Sequence, residues 1–127
     1  MDAKKKDTRW CFTSWDFNKL MKIKTHLFKN LIIGKEIAPT TNTIHYQGYC
    51  ESHKEYDLAS IKKLIDNKAH FEIAYATEDE CIRYCNKERD LIITKLEKDI
   101  NGYYPNRFKP HWNEEDAFDV FNIKPKI

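Results

Sequence analysis

Two short runs in this 127-residue chain carry side chains that could do chemistry together. The first is Thr43-Ile44-His45-Tyr46-Gln47-Gly48-Tyr49. Read as a strand, it puts His45 and Gln47 on one face, because side chains two apart point the same way. An imidazole nitrogen beside an amide oxygen offers two ligands to a hard or borderline divalent ion. The second run is Tyr84-Cys85-Asn86-Lys87. Read as a helix, it makes neighbours of Tyr84 and Lys87, which are three apart. A tyrosine, a metal and a lysine are the equipment for attacking a phosphodiester: a phenol that must lose its proton, a neutralised phosphate and a positioned leaving oxygen. Each residue taken singly has a plainer role, as a hydrogen-bonded strand histidine, a packed helix tyrosine or a surface lysine. The two runs in order are what favour the chemical reading.

The elements that must position them can be read from pattern. Residues 9–15 are aromatic and β-prone, a first strand. Asp16 is an N-cap for a helix over residues 17–29, with Phe17, Leu20, Met21, Ile23, Leu27 and Phe28 as its apolar stripe. A short strand over 30–36, turn residues 39–42 and a strand over 43–53 make a hairpin. Asp57 caps a helix to about residue 66 with Ile61, Leu64 and Ile65 inward, and a strand follows over 70–76. Thr77-Glu78-Asp79-Glu80 is a capping box that starts a helix running to about residue 88, with Tyr84 in its middle. On that helix Ile82 and Cys85 lie on a different side from Tyr84 and Lys87, so one side can be buried while the other presents the tyrosine. Residues 91–96 close as a strand. Hairpins with interposed helices indicate an α+β, ferredoxin-like fold: about five antiparallel strands with flanking helices.

Bulk properties bound the class. The length suits one domain. No apolar run reaches transmembrane length and the start lacks a hydrophobic signal core, so no membrane partner and an intracellular location are expected. The four cysteines (Cys11, Cys50, Cys81, Cys85) show no zinc spacing and are expected as free thiols. Twenty-two basic against 20 acidic residues leave a net charge of only +2, so charge alone does not mark a nucleic-acid binder. Its distribution says more: lysines gather at Lys4, Lys5 and Lys6, at Lys19, Lys22, Lys24 and Lys29, and at Lys62 and Lys63, which with the motifs suggests a cationic groove for a DNA strand.

With the runs in this order, the sequence resembles the N-terminal endonuclease domain of HUH-type rolling-circle replication initiators (Rep) of circoviruses, nanoviruses and related small circular single-stranded DNA replicons. The resemblance rests on Trp10-Cys11-Phe12-Thr13-Ser14, on His45-Tyr46-Gln47-Gly48-Tyr49 and on Tyr84-Cys85-Asn86-Lys87, and spans roughly residues 9–88. It implies a ferredoxin-like sheet, a third metal ligand at Glu36 beside His45 and Gln47, and Mg²⁺ or Mn²⁺ as the ion. It implies Tyr84 as the nucleophile that becomes linked to the DNA 5′ phosphate, with Lys87 aiding it or steadying phosphate charge. Phe12, Thr13 and Ser14 match a segment associated with DNA recognition. The implied partner is single-stranded DNA bearing an origin stem-loop. Homo-oligomerisation would run through segments beyond this domain, and the host nucleus would be the location for a eukaryotic virus.

On this reading residues 1–8 form a basic arm, 9–100 the endonuclease domain and 101–127 a C-terminal extension in which Asn113 caps a short helix over 114–121. No Gly-x-x-x-x-Gly-Lys-Ser/Thr loop stands in the chain, so ATP-driven unwinding is not expected of it. Other histidines are set aside: His53 lies past the expected strand end, and His26, His70 and His111 lack an acidic partner at a telling spacing. Tyr103-Tyr104 lacks helical context for a second nucleophile. The rival reading is a non-catalytic single-stranded nucleic-acid-binding module on the same sheet topology.

Overall fold

Alternation along the first strand separates the two faces of the sheet. In β1 (Asp7–Ser14), Trp10, Phe12 and Ser14 are buried on one face, and Cys11 and Thr13 take the other. The architecture is that of a computed structural model, and residues 5–97 are those it describes. It continues with α1 (Phe17–Leu20), a 3-10 turn (Thr25–Leu27), β2 (Phe28–Ile37), β3 (Ile44–Tyr56), α2 (Leu58–Ile65), β4 (His70–Ile73), α3 (Glu78–Cys85) and β5 (Leu91–Lys95). The five strands form one antiparallel sheet in the order β4-β1-β3-β2-β5. This is the α+β, ferredoxin-like arrangement expected from the pattern, with β5 added along β2.

The faces carry separate cores. Trp10, Phe12, Leu31, Ile33, Tyr46, Cys50, Phe71 and Ile73 pack with Leu20 of α1 and with Ile61 and Ile65 of α2. On the opposite face Ile32 and Tyr49 pack with Cys81, Ile82 and Cys85 of α3. Each helix starts at a side-chain cap read from the sequence: Asp16 accepts the Lys19 N–H at 3.1 Å and Asp57 the Ser60 N–H at 2.8 Å. Thr77 and Glu80 exchange both capping-box bonds, at 3.0 and 3.2 Å.

The continuous helix expected over residues 17–29 is the largest departure. Met21 closes α1 after a single turn. Ile23 and Thr25 are β-branched and resist the helix, and from Phe28 onward the backbone is taken up in pairing with β3, from Phe28↔Ser52 to Ile37↔Ile44. Leu20, Ile23 and Phe28 are still buried, so the stripe identified inward residues but not the backbone that delivers them. Phe17 and Met21, expected in the stripe, stay exposed. β3 extends to Tyr56, which makes His53 a strand residue on an exposed stretch, and β4 stops at Ile73. α3 ends at Cys85, placing Tyr84 in its last turn and Lys87 beyond it. All four cysteines are free. No helix among the described residues is long and apolar enough to cross a membrane. The expectations for Lys4, Tyr103-Tyr104, His111, the helix over 114–121 and the extension 101–127 lie outside the described residues.

Two local constraints hold this frame. Gly34 lets α3 lie on β2: a Cβ there would stand 1.9 Å from the Cys85 carbonyl oxygen, a backbone atom that cannot step aside. At the other end of the sheet, buried Asp66 accepts from Ser14 Oγ at 2.6 Å and from the Lys68 N–H at 3.0 Å, with Lys19 Nζ at 3.5 Å. Burial alone would raise its carboxyl, but these three contacts outweigh it and hold the group below the ordinary carboxylate range.

Gly34→Ala should therefore lower stability by about 1–3 kcal/mol, the usual cost of overpacking; equal urea midpoints for the two proteins would show that α3 does not rest on this residue. The Asp66 carboxylate is depressed in the folded state, so its contribution is complete above the unfolded value near 4 and fades as pH falls through the lower folded value. The stability gap between the native protein and Asp66→Asn should accordingly shrink in urea titrations stepped from about pH 5 toward pH 2.

Candidate active site

The site forms where the β2–β3 ladder meets the end of α3. In that ladder Glu36 is the direct cross-strand partner of His45, and Gly34 that of Gln47. Strand alternation places Glu36, His45 and Gln47 on the α3 side of the sheet, as the two-residue spacing required. α3 runs alongside β2. Asn30 Nδ2 donates to Glu78 Oε2 at 3.3 Å near the helix start, and the Cys85 carbonyl lies over Gly34 near its end. The Lys35 N–H then donates to the Asp90 carbonyl at 2.7 Å, fastening the turn after the helix to the same strand.

That docking delivers the helical run to the strand run. The carboxylate of Glu36, buried at 8% exposure, bonds two partners: Oε1 stands 2.9 Å from His45 Nε2, and Oε2 accepts from Lys87 Nζ. The Lys87 ammonium in turn lies 3.7 Å from the centre of the Tyr84 ring. Tyr84 is 53% exposed, so its phenol is open to a partner in solution. Although Lys87 falls past the regular helix, its N–H still bonds the Tyr84 carbonyl at 3.3 Å, and the expected neighbourhood of the two side chains survives. The four residues His45, Glu36, Lys87 and Tyr84 thus form one continuous chain of contacts.

Gln47 is held apart from that chain by β1. Its Nε2 donates to the Phe12 carbonyl at 3.2 Å, and its Oε1 accepts from Thr13 Oγ1 at 3.1 Å. These two bonds fix the amide's orientation and leave the oxygen a second lone pair. Of Phe12, Thr13 and Ser14, the residues expected from the sequence to take part in DNA recognition, only Thr13 shows its side chain on this face. Phe12 and Ser14 are 1% and 0% exposed and point into the opposite core, where Phe12 stacks on Phe71 at 5.1 Å and Ser14 bonds Asp66.

Between β1, β4 and α3 lies an open groove of about 480 Å³, with Cys11, Cys81 and Cys85 on its walls and Thr13, Gln47, His70, Glu72 and Tyr84 along its rim. His70 does have an acidic partner, contrary to expectation: Glu72 Oε2 lies 2.8 Å from its Nε2. Two-residue alternation on β4 was the signal that would have found it. Arg9 was also missed. It donates from Nε to Tyr49 Oη at 3.0 Å and from Nη2 to the Ala76 carbonyl, tying the motif tyrosine to the approach of α3. Burial pushes the Tyr49 phenol well up, so it stays protonated as a packed anchor while Tyr84 is the accessible phenol.

Comparison with known proteins gives the family. A family model of viral replication proteins matches residues 7–88, which spans every strand and helix named above except β5. The replication-associated protein of Human associated cyclovirus 1 is 38% identical over 88 residues, covering 65% of this chain and 31% of that protein. The master replication protein of Milk vetch dwarf virus is 42% identical over 80 residues, covering 62% of this chain and 27% of that protein. The replication-associated protein of Canary circovirus is 35% identical over 91 residues, covering 68% and 31%. The chain therefore spans less than a third of the length of these relatives. With a match over most of its sheet and all of its candidate site, this chain belongs to the viral replication protein family, and carries the Rep domain of circular single-stranded DNA viruses.

Proposed function

We propose that this domain nicks and rejoins single-stranded DNA at an origin, to initiate and terminate rolling-circle replication. The observation that carries the reading is the contact chain from His45 through Glu36 and Lys87 to the exposed Tyr84. A phenol open to solvent, with a cation against its ring and a carboxylate–imidazole pair behind it, supports nucleophilic attack on a phosphodiester. Tyr84 Oη attacks phosphorus, the bond to the 3′ oxygen breaks, and the 5′ phosphate remains on the tyrosine. The phenol proton lost is balanced by the one gained at the departing 3′ oxygen. Lys87 steadies the negative charge as it builds, and a free 3′ hydroxyl is left to prime synthesis. Attack of a 3′ hydroxyl on the phosphotyrosine runs the same step backwards and joins the strand.

Glu36, His45 and Gln47 fit a bound Mg²⁺ or Mn²⁺. A carboxylate, an imidazole nitrogen and an amide oxygen are donors such an ion would accept, and Glu36 and His45 already lie side by side across the ladder. Gln47, two residues from His45 on the same strand face, would offer its amide oxygen as the third donor. When bound, such an ion supplies Lewis-acid polarisation of the phosphate. The protein's share is to hold the three donors in place: Glu36 by the ladder and Lys87, Gln47 by Phe12 and Thr13.

The substrate is single-stranded because an exposed tyrosine beside an open groove needs a phosphate that can reach it. Labelled stem-loop DNA from a pool of origin sequences, incubated with Mn²⁺ or with chelator and run on a denaturing gel, should give a slow covalent band with the metal alone. Tyr84→Phe should abolish that band while retaining DNA binding by fluorescence anisotropy; an adduct surviving in the variant would remove Tyr84 from the mechanism. No adduct from any origin in the pool, with binding intact, would favour the non-catalytic binding module. His45→Ala should slow Mn²⁺-stimulated cleavage by roughly 10²–10³-fold, and an unchanged rate at saturating Mn²⁺ would sink the metal site.

A further inference from the structure

The groove wall holds a pair of thiols that the nicking reaction does not use. Cys11 Sγ on β1 and Cys81 Sγ on α3 are 3.7 Å apart, although 70 residues separate them in the chain. Strand alternation turns Cys11 toward α3, and Cys81 sits in the helix's first turns, four residues after the Thr77 cap. Arg9 Nη2 lies 4.0 Å from Cys81 Sγ, its guanidinium held by Tyr49 and Ala76. Both cysteines line the groove, Cys11 partly exposed and Cys81 buried just behind it at 4% exposure. Cys50 is buried among Trp10, Leu31 and Ile33 on the opposite face. Cys85 also lines the groove but is almost wholly buried, at 2% exposure.

We infer that Cys11 and Cys81 are a peroxide-sensitive pair that closes to a disulfide, stapling the helix that bears Tyr84 to the strand that bears Thr13. The chemistry divides unequally between the two sulfurs. The hydrogen bond from Cys11 draws the Cys81 thiol below the ordinary range against the effect of burial, with the Arg9 charge assisting, while the same bond and burial push Cys11 up. With the Arg9 guanidinium 4.0 Å from Cys81, it is Cys81 that ionises more readily of the two. The Ala76 carbonyl, 3.9 Å away, is the acceptor that competes for a Cys81 proton. Arg9 also donates to that carbonyl, which favours the thiolate form.

Hydrogen peroxide, little larger than water, is the oxidant that this groove admits. The Cys81 thiolate, its own proton lost to solvent, attacks one peroxide oxygen, an S–O bond forms, the O–O bond breaks, and the departing hydroxide takes a proton back from solvent as water. Cys11 then attacks the sulfenic sulfur of Cys81, the S–S bond forms, the S–O bond breaks, and water leaves with the Cys11 proton. In sum, two thiols and one peroxide give one disulfide and two waters. Bonding distance is about 2.05 Å, so the sulfurs must close from 3.7 Å, by rotation of the two side chains or a small advance of α3. The bond is absent from the reduced protein and reversible by thiols, which suits a sensor rather than a structural bridge. It stands on the geometry of β1 and α3 alone, and holds whether or not Tyr84 is a nucleophile.

The test uses the full chain, reduced, freed of reductant, exposed to graded hydrogen peroxide, and then alkylated. The four cysteines fall in four different tryptic peptides, residues 10–19, 36–54, 69–83 and 84–87, so every pairing is distinguishable under non-reducing conditions. The expected result is an intact mass lower by two hydrogens, two protected thiols, and a cross-linked species joining peptides 10–19 and 69–83 that disappears with dithiothreitol. Cys11→Ser should lose the cross-link and trap Cys81 as a sulfenic acid that dimedone labels. A cross-link through peptide 36–54 or 84–87 instead would overturn the inference. So would four alkylatable thiols at peroxide levels that already oxidise methionine.

Discussion

The contact between the end of α3 and β2 at Gly34 is the constraint on which the site depends. A helix packed on a sheet normally stands off by the thickness of two layers of side chains. Here one layer is missing, because Gly34 has none, and the Cys85 carbonyl comes down against the strand backbone. Tyr84 and Lys87 flank that point in sequence, and Glu36 lies two residues further along the same face of β2. The approach brings the Lys87 ammonium within reach of a carboxylate that belongs to a different layer of the fold. Any side chain at position 34 would lift the helix and separate the run that carries the phenol from the run that carries the imidazole.

Glu36 is the second pivot, and its environment explains why the site is built on a ladder. A largely buried carboxylate is costly unless its charge is answered, and removing one partner of such a pair is worse than never having formed it. Glu36 is answered twice, by His45 across the β2–β3 ladder and by Lys87 from the turn after α3. The ladder supplies the rigid distance and the turn after the helix supplies the cation. Gln47 is fixed independently, through β1, so the three proposed ligands are held from both neighbouring strands rather than by one loop. A site whose donors are set by backbone pairing is preorganised before any ion or DNA arrives.

The two faces of the sheet divide the labour. α1 and α2 cover the face of Trp10, Phe12 and Tyr46 and make it a closed core. α3 covers only part of the other face, and what it leaves open is the groove with Thr13, Gln47 and His70 on its rim. Alternate residues of one motif therefore serve opposite ends. In Trp10-Cys11-Phe12-Thr13-Ser14, the first, third and fifth residues build the core, and the second and fourth build the groove. In His45-Tyr46-Gln47-Gly48-Tyr49, His45 and Gln47 face the site, Tyr46 packs in the core, and Tyr49 anchors α3 through Arg9.

Much of this was legible in the linear chain, for physical reasons that operate locally. Two-residue alternation put His45 and Gln47 on one face, the capping box started α3 at the correct residue, and of the apolar stripe after Asp16 Leu20, Ile23 and Phe28 are buried while Phe17 and Met21 are exposed. These signals are short-range: dihedral preferences, a cap bonding three residues on, a side chain's direction on its own strand. The failures were long-range. Residues 17–29 carried a helical stripe, yet pairing with β3 claimed the chain from Phe28, because thirteen residues of β3 needed a partner strand. The sequence by itself determined which side chains face which way. Only the tertiary structure decided which of them meet: Lys87 with Glu36, Arg9 with Tyr49, and Cys11 with Cys81. Those meetings depend on where α3 lands, and that is set by a missing side chain at Gly34 acting on Cys85 across fifty intervening residues, which no local preference encodes.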